Sequence, residues 1–174
     1  MTNIQKKDIK PLVPSTSLKD RMNLLKGSRD KALLVDISGS MSDLAYEGET
    51  RFSIMEKVLA KLPKINLFAF NSECKRVAFL SNPYGGTDLA NAFYMVKSEG
   101  FKKTTLVTDG KPDSESLAFE AANGLWIDII YIGPRPVPTF LMDLAARFGS
   151  LMDNPLVTDG SSLMLEKKIQ GLLK

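Results

Sequence analysis

Three features of the sequence predict an α/β fold, doubly wound around a mostly parallel sheet. Continuous apolar runs of strand length alternate with stretches whose apolar residues recur at helical spacing. Two of those runs end in a carboxylate, at Asp36 and Asp109. Glycine, proline and serine clusters punctuate the joins between them.

The elements follow in chain order. Residues 1–16, with Pro11 and Pro14, read as irregular, and Leu18 to Leu25 reads as a short helix broken by Gly27-Ser28-Arg29. Ala32-Leu33-Leu34-Val35 is apolar without interruption, as expected of a strand buried on both faces, and Asp36 closes it. After a polar loop, Met55, Val58, Leu59 and Leu62 repeat at i, i+3, i+4 and i+7, an amphipathic helix stopped by Pro63. Ile65 to Phe70 is a second strand. The short link Asn71-Ser72-Glu73 permits only an antiparallel partner from about Cys74 to Phe79, which predicts an edge strand.

Pro83 to Thr87 is a loop, with Thr87 or Asp88 as helix N-cap and Leu89, Ala92, Phe93 and Val96 as the helical stripe. Thr104 to Thr108 is a strand ending at Asp109-Gly110, followed by an alanine-rich helix from about Ser114 to Asn123. Trp126 to Ile132 is a further buried strand. Leu141, Leu144, Ala145 and Phe148 mark a helix with Gly149 just past its end, a short strand lies near Leu151, and Ser161 to Leu173 is a terminal helix. The prediction is a basic N-terminal arm over residues 1–30 and one domain over 31–174.

Composition narrows the chemistry. The chain of 174 residues has no His and one Cys, Cys74. An imidazole base, a His-based zinc site, an intrachain disulfide and a thiolate cluster are all excluded. No apolar run approaches the roughly 18 residues of a membrane span, and the N-terminus lacks an apolar signal core, so a cytoplasmic location is expected. The net charge of +3 is uneven. Residues 1–31 hold eight Lys or Arg against three acids, and the remainder holds 15 against 17. The arm could bind nucleic acid or an acidic partner, or be a solvated terminus; it has no aromatic residue to stack on bases.

Binding sites in doubly wound folds lie outside the carboxyl ends of the strands, where strand order reverses. At that end the first strand continues as Asp36-Ile37-Ser38-Gly39-Ser40, and Gly39 allows a tight turn that lets both hydroxyls point with the carboxylate. Asp-x-Ser-x-Ser arises by chance roughly 0.09 times in a chain of this composition. Gly85-Gly86-Thr87-Asp88 and Thr108-Asp109-Gly110 bring further oxygens to the same end. Oxygen donors without nitrogen or sulfur suit a hard divalent cation. Thr87 also reads as a plain cap and Asp109-Gly110 as a plain turn, while Asp88 and Asp113 read as caps or supporting residues. Asp43, Glu47 and Glu49 read as solvated loop acids.

Asp36-x-Ser38-x-Ser40, Thr87 after a Gly-Gly, and Asp109 in a Thr-Asp-Gly together resemble the metal-ion-dependent adhesion site (MIDAS) of von Willebrand factor type A (vWA) domains. The resemblance spans about residues 31 to 150. It implies a doubly wound sheet with one antiparallel edge strand and a bound Mg²⁺ or Mn²⁺. It further implies Ser38, Ser40 and Thr87 as direct ligands, Asp36 and Asp109 as direct or water-mediated ones, and an acidic residue of a partner completing the shell. Without a disulfide framework the chain looks more like the intracellular members, which assemble complexes, often with a separate AAA+ ATPase. The expected function is therefore a metal-dependent protein-interaction module, not an enzyme. The alternatives are a Mg²⁺-dependent hydrolase or phosphotransferase using Asp36, with Lys111 as the nearby cation, and nucleic-acid binding through the arm.

Overall fold

The computed structural model describes residues 30–174, so the helix expected over Leu18 to Leu25 and the rest of the arm lie outside the described residues. Strand β1, Lys31–Asp36, is the centre of the sheet. A short 3-10 helix, Gly39–Ser42, follows it and leads into a small ribbon of β2, Leu44–Tyr46, and β3, Glu49–Thr50. The chain then runs through α1 (Arg51–Leu59), β4 (Asn66–Phe70), β5 (Cys74–Arg76), α2 (Leu89–Ser98) and β6 (Lys103–Thr108). It finishes with α3 (Glu115–Ala122), β7 (Trp126–Tyr131), α4 (Thr139–Phe148), β8 (Gly149–Asp153) and α5 (Asp159–Leu173). Among the described residues no helix is long and apolar enough to cross a membrane.

The main sheet has the order β5-β4-β1-β6-β7-β8. Every neighbouring pair is parallel except β4 and β5, joined by the hairpin over Asn71 to Glu73. The Asn71 side chain accepts a hydrogen bond from the Glu73 amide, closing that turn locally. The order places β4 on one side of β1 and β6 on the other, so the chain reverses its winding at β1.

Strand alternation divides the core in two. Ala32 and Leu34 point to the face covered by α2, α3 and α4, where they join Phe68, Phe70, Phe93 and Leu141. Leu33 and Val35 point to the opposite face, with Met41, Ile54, Met55, Leu165 and Ile169 from the 3-10 helix, α1 and α5. All four β1 residues are fully buried, which is why this strand reads as an unbroken apolar run. Burial of Leu33, Leu34 and Val35 contributes about 1.5–3 kcal/mol each, and of Ala32 less.

Three expectations are corrected. The polar loop after Asp36 contains a 3-10 turn and the β2-β3 ribbon, reversed by Glu47 and Gly48, both at positive φ. An apolar alternation over three and two residues is too short to register as strand. The edge strand β5 stops at Arg76 rather than running to Phe79, whose side chain is exposed. Trp126, at the start of β7, is also exposed at 52% rather than buried with the rest of its strand.

Pairing of β8 with β7 depends on a close approach at Gly149, where an added Cβ would lie 1.9 Å from the Ile127 carbonyl oxygen. Gly149→Ala is expected to destabilise the protein by more than about 2 kcal/mol, because only backbone can move to relieve the overlap. Gly171→Ala, on α5 with open space around it, is expected to be neutral or to stabilise by about 0.5–1 kcal/mol. Urea melts of the two variants test this contrast.

Candidate functional site

Parallel pairing of β1 with β6 sets Val35 beside Val107, so both strands leave the sheet at the same level. The carboxylates that follow, Asp36 and Asp109, are buried there, Asp36 with no exposed surface at all. Each Asp36 oxygen has a donor. The Ser38 amide donates to Oδ1 at 2.8 Å, and the Thr108 hydroxyl donates to Oδ2 at 2.7 Å.

The loop turns back over the strand end by the 3-10 bond from the Met41 amide to the Ser38 carbonyl. This brings Ser38 Oγ within 3.2 Å of Ser40 Oγ, and the Ser40 hydroxyl donates to Asp109 Oδ1 at 2.8 Å. Ser40 has one proton and gives it to Asp109, so Ser38 is the donor in the serine pair. The other Asp109 oxygen, Oδ2, accepts from Arg51 Nη1 at 3.0 Å. Asp36, Ser38, Ser40 and Asp109 thus form one hydrogen-bonded string across the switch between β1 and β6.

Thr87 stands on the neighbouring loop and does not join this string. The loop is fixed to the first one by backbone bonds from Gly39 N–H to the Gly85 carbonyl and from Tyr84 N–H to the Ile37 carbonyl. The Thr87 amide donates to Asp113 Oδ2 at 2.9 Å, and the Asp113 amide donates back to the Thr87 carbonyl. Gly86 is needed for this clasp, since a Cβ there would meet Asp113 Oδ2 at 2.5 Å. Among the described residues the Thr87 hydroxyl has no hydrogen-bond partner, whereas Asp88 caps α2 by accepting from the Asn91 amide. Asp88 and Asp113 therefore serve as cap and support, as expected.

The shape of the sheet has known counterparts. No protein-family model and no curated protein matches the sequence. A von Willebrand factor type A protein from Catenulispora acidiphila superposes on 82% of this chain with a TM-score of 0.61 and 16% identity. This chain spans 41% of the length of that one. The vWA domain of SpRpn10 superposes on 78% of the chain, and over 92% of that domain, with a TM-score of 0.57 and 15% identity. The chain has the vWA fold. At such identities the likeness is one of architecture.

Within this vWA fold, two participants at the strand ends escape a reading of spacing alone. Thr108 looks like a strand residue, yet its hydroxyl orients Asp36. Arg51 lies 11 residues beyond Ser40 and is returned to it by the β2-β3 ribbon, in which Leu44 pairs with Thr50. Its amide donates to the Asp43 carbonyl, and Nη1 reaches the Ser40 carbonyl at 3.0 Å and Asp43 Oδ2 at 3.3 Å besides Asp109. Of the three loop acids read as solvated, Asp43 thus pairs with Arg51 and Glu49 with Lys57. Lys111 is exposed and has no resolved role at the site.

Electrostatics follow from this geometry. Burial pushes the Asp36 carboxyl up to about 6, the negative charge of Asp109 pushes it the same way, and the bonds from Ser38 and Thr108 oppose both. Burial raises Asp109 too, against the pull of Ser40 and Arg51. Among the described residues no group of three or more His, Cys, Asp or Glu side chains gathers as a metal cage. What the strand ends offer is two crowded carboxylates with hydroxyls between them. That set of hard oxygens suits a divalent cation, which would also relieve the repulsion.

Because folded Asp36 keeps its proton to higher pH than the unfolded chain, its contribution to stability falls as pH rises from about 4 to about 6. In EDTA, Asp36→Asn is expected to match wild type near pH 4 and to exceed it at pH 7 by on the order of 3 kcal/mol. The amide keeps both contacts, accepting from Ser38 and donating to Thr108 Oγ1. Urea melts of both proteins across that range check it, and a difference independent of pH would contradict it.

Proposed function

We propose that this vWA fold is a metal-dependent protein-interaction module of the MIDAS type, acting inside the cell as a subunit of a larger assembly. The observation that carries the reading is the string of Asp36, Ser38, Ser40 and Asp109 oxygens at the switch of strand order, with the unpartnered Thr87 hydroxyl on the adjoining loop. Ser38, Ser40 and Thr87 would hold a Mg²⁺ or Mn²⁺ directly, with Asp36 and Asp109 direct or through water. When bound, the ion would supply an open coordination position for an acidic side chain of a partner. Such a partner is an AAA+ ATPase or another complex subunit in a separate chain.

The chain's own groups do the rest. Thr108 and the Ser38 amide orient Asp36, and Asp113 fixes the backbone at Thr87. Asp36 as a nucleophile is disfavoured, because its carboxylate is fully buried with a donor on each oxygen, a setting that suits action on the ion through water.

Thr87→Ala offers a clean test, since its hydroxyl holds nothing together in the described structure. Stability without metal is expected to change by less than about 0.5 kcal/mol. Capture of partner by the immobilised protein in Mg²⁺ is expected to fall at least about tenfold, and wild type in EDTA to capture nothing. Capture that survives EDTA would overturn the reading.

A further inference from the structure

Arg51 occupies a position that local chemistry disfavours. It is the first residue of α1, directly after the cap Thr50, and no acidic residue accompanies it in the first turn. The amino end of a helix carries partial positive charge, so an arginine there opposes the helix dipole. Its side chain is nevertheless held inward, with 11% exposed, against an Asp109 side chain that is 1% exposed. Something other than helix formation therefore accounts for the placement of this side chain. The reason visible in the structure is the set of three oxygens on Nη1: Asp109 Oδ2, the Ser40 carbonyl and Asp43 Oδ2.

The charge count explains what this does. Asp36 and Asp109 place up to two negative charges at the strand ends, and Asp43 adds a third at the rim, with its side chain 67% exposed. Arg51 neutralises one of them and occupies Asp109 Oδ2, while Ser40 occupies Oδ1. Any divalent cation arriving at the serine hydroxyls meets a site that already contains a cation.

We propose that the Arg51 guanidinium is a built-in counter-cation of this site, which holds Asp109 when no metal is bound and weakens divalent-metal binding so that the ion stays exchangeable. This rests on the metal-binding reading above and adds to it a residue that tunes the affinity. Two effects of Arg51 oppose each other, since it repels an incoming cation and also helps to orient Asp109. Repulsion dominates because Ser40 alone still fixes Asp109 through Oδ1, whereas among the described residues Arg51 is the only cation paired with Asp109. An ion held beside Arg51 also keeps more of its positive character, which favours exchange of a partner's carboxylate by electrostatic attraction.

The experiment is a Mn²⁺ titration of the full chain, following loss of the free-ion signal by electron paramagnetic resonance, for wild type, Arg51→Gln, Arg51→Lys and Asp36→Asn. Arg51→Gln is expected to bind Mn²⁺ at least about tenfold more tightly than wild type. Arg51→Lys, which keeps the charge, is expected to remain within about threefold of wild type. Thermal melts give a second readout: in EDTA Arg51→Gln melts below wild type, and saturating Mn²⁺ raises its melting temperature by more than it raises that of wild type.

A glutamine variant that folds only in the presence of Mn²⁺ supports the proposal through this second readout. Mn²⁺ binding by Arg51→Gln where wild type shows none supports it as well. Binding by Arg51→Gln no tighter than wild type, binding by Arg51→Lys as tight as that of Arg51→Gln, or a glutamine variant unfolded even in saturating Mn²⁺ overturns it. The metal-binding reading fails separately, if neither wild type nor Arg51→Gln binds Mn²⁺, or if Asp36→Asn binds it as well as wild type does.

Discussion

Two carboxylates, Asp36 and Asp109, are held side by side at the ends of adjacent parallel strands, and the surrounding loops are organised around that repulsion. The register that aligns Val35 with Val107 sets Asp36 level with Thr108 and Asp109 one residue further on, so both carboxylates emerge at the same end of the sheet. Burial strengthens the repulsion because little water screens it. Four groups answer it: Ser38 and Thr108 on Asp36, Ser40 and Arg51 on Asp109. A buried pair of like charges is tolerated where function employs it, and the metal-binding proposal gives this pair such a use.

The sheet supplies the rigidity that such a site requires. β1 lies between two apolar layers, with Leu34 joined to one and Leu33 and Val35 to the other, so its carboxyl end is fixed in position by packing on both faces. The serine loop is shaped by its own 3-10 bond and tied to the Gly85 loop through backbone. Side chains placed on such supports hold their geometry more closely than side chains on free loops. The Asp113 clasp extends the support to the backbone at Thr87.

Much of this was legible in the sequence because its cause is local. The apolar run at Ala32 to Val35 announces burial on both faces, the three-residue link at Asn71 to Glu73 forces an antiparallel edge, and Asp-x-Ser-x-Ser follows directly from one strand end. Features that arise from contacts across the chain were not legible. The β2-β3 ribbon is too short to carry a period, β5 ends at Arg76 with no sequence mark, and Thr108 is indistinguishable from any strand threonine until its neighbour is known. Arg51 is the sharpest instance. Its role depends on a hairpin that returns it to Ser40 and on a strand pairing that brings Asp109 beside it.

The absence of histidine and the single cysteine determine by themselves that a metal site of this chain would rest mainly on oxygen, because the chain offers no imidazole and only one thiol. Hydrophobic periodicity likewise determines the fold class, because a strand covered on both faces and a helix covered on one require different patterns. Tertiary structure alone decides which oxygens meet, which of them are already engaged and what charge faces them. Those outcomes depend on strand register and loop closure, which bring together residues that are distant in sequence.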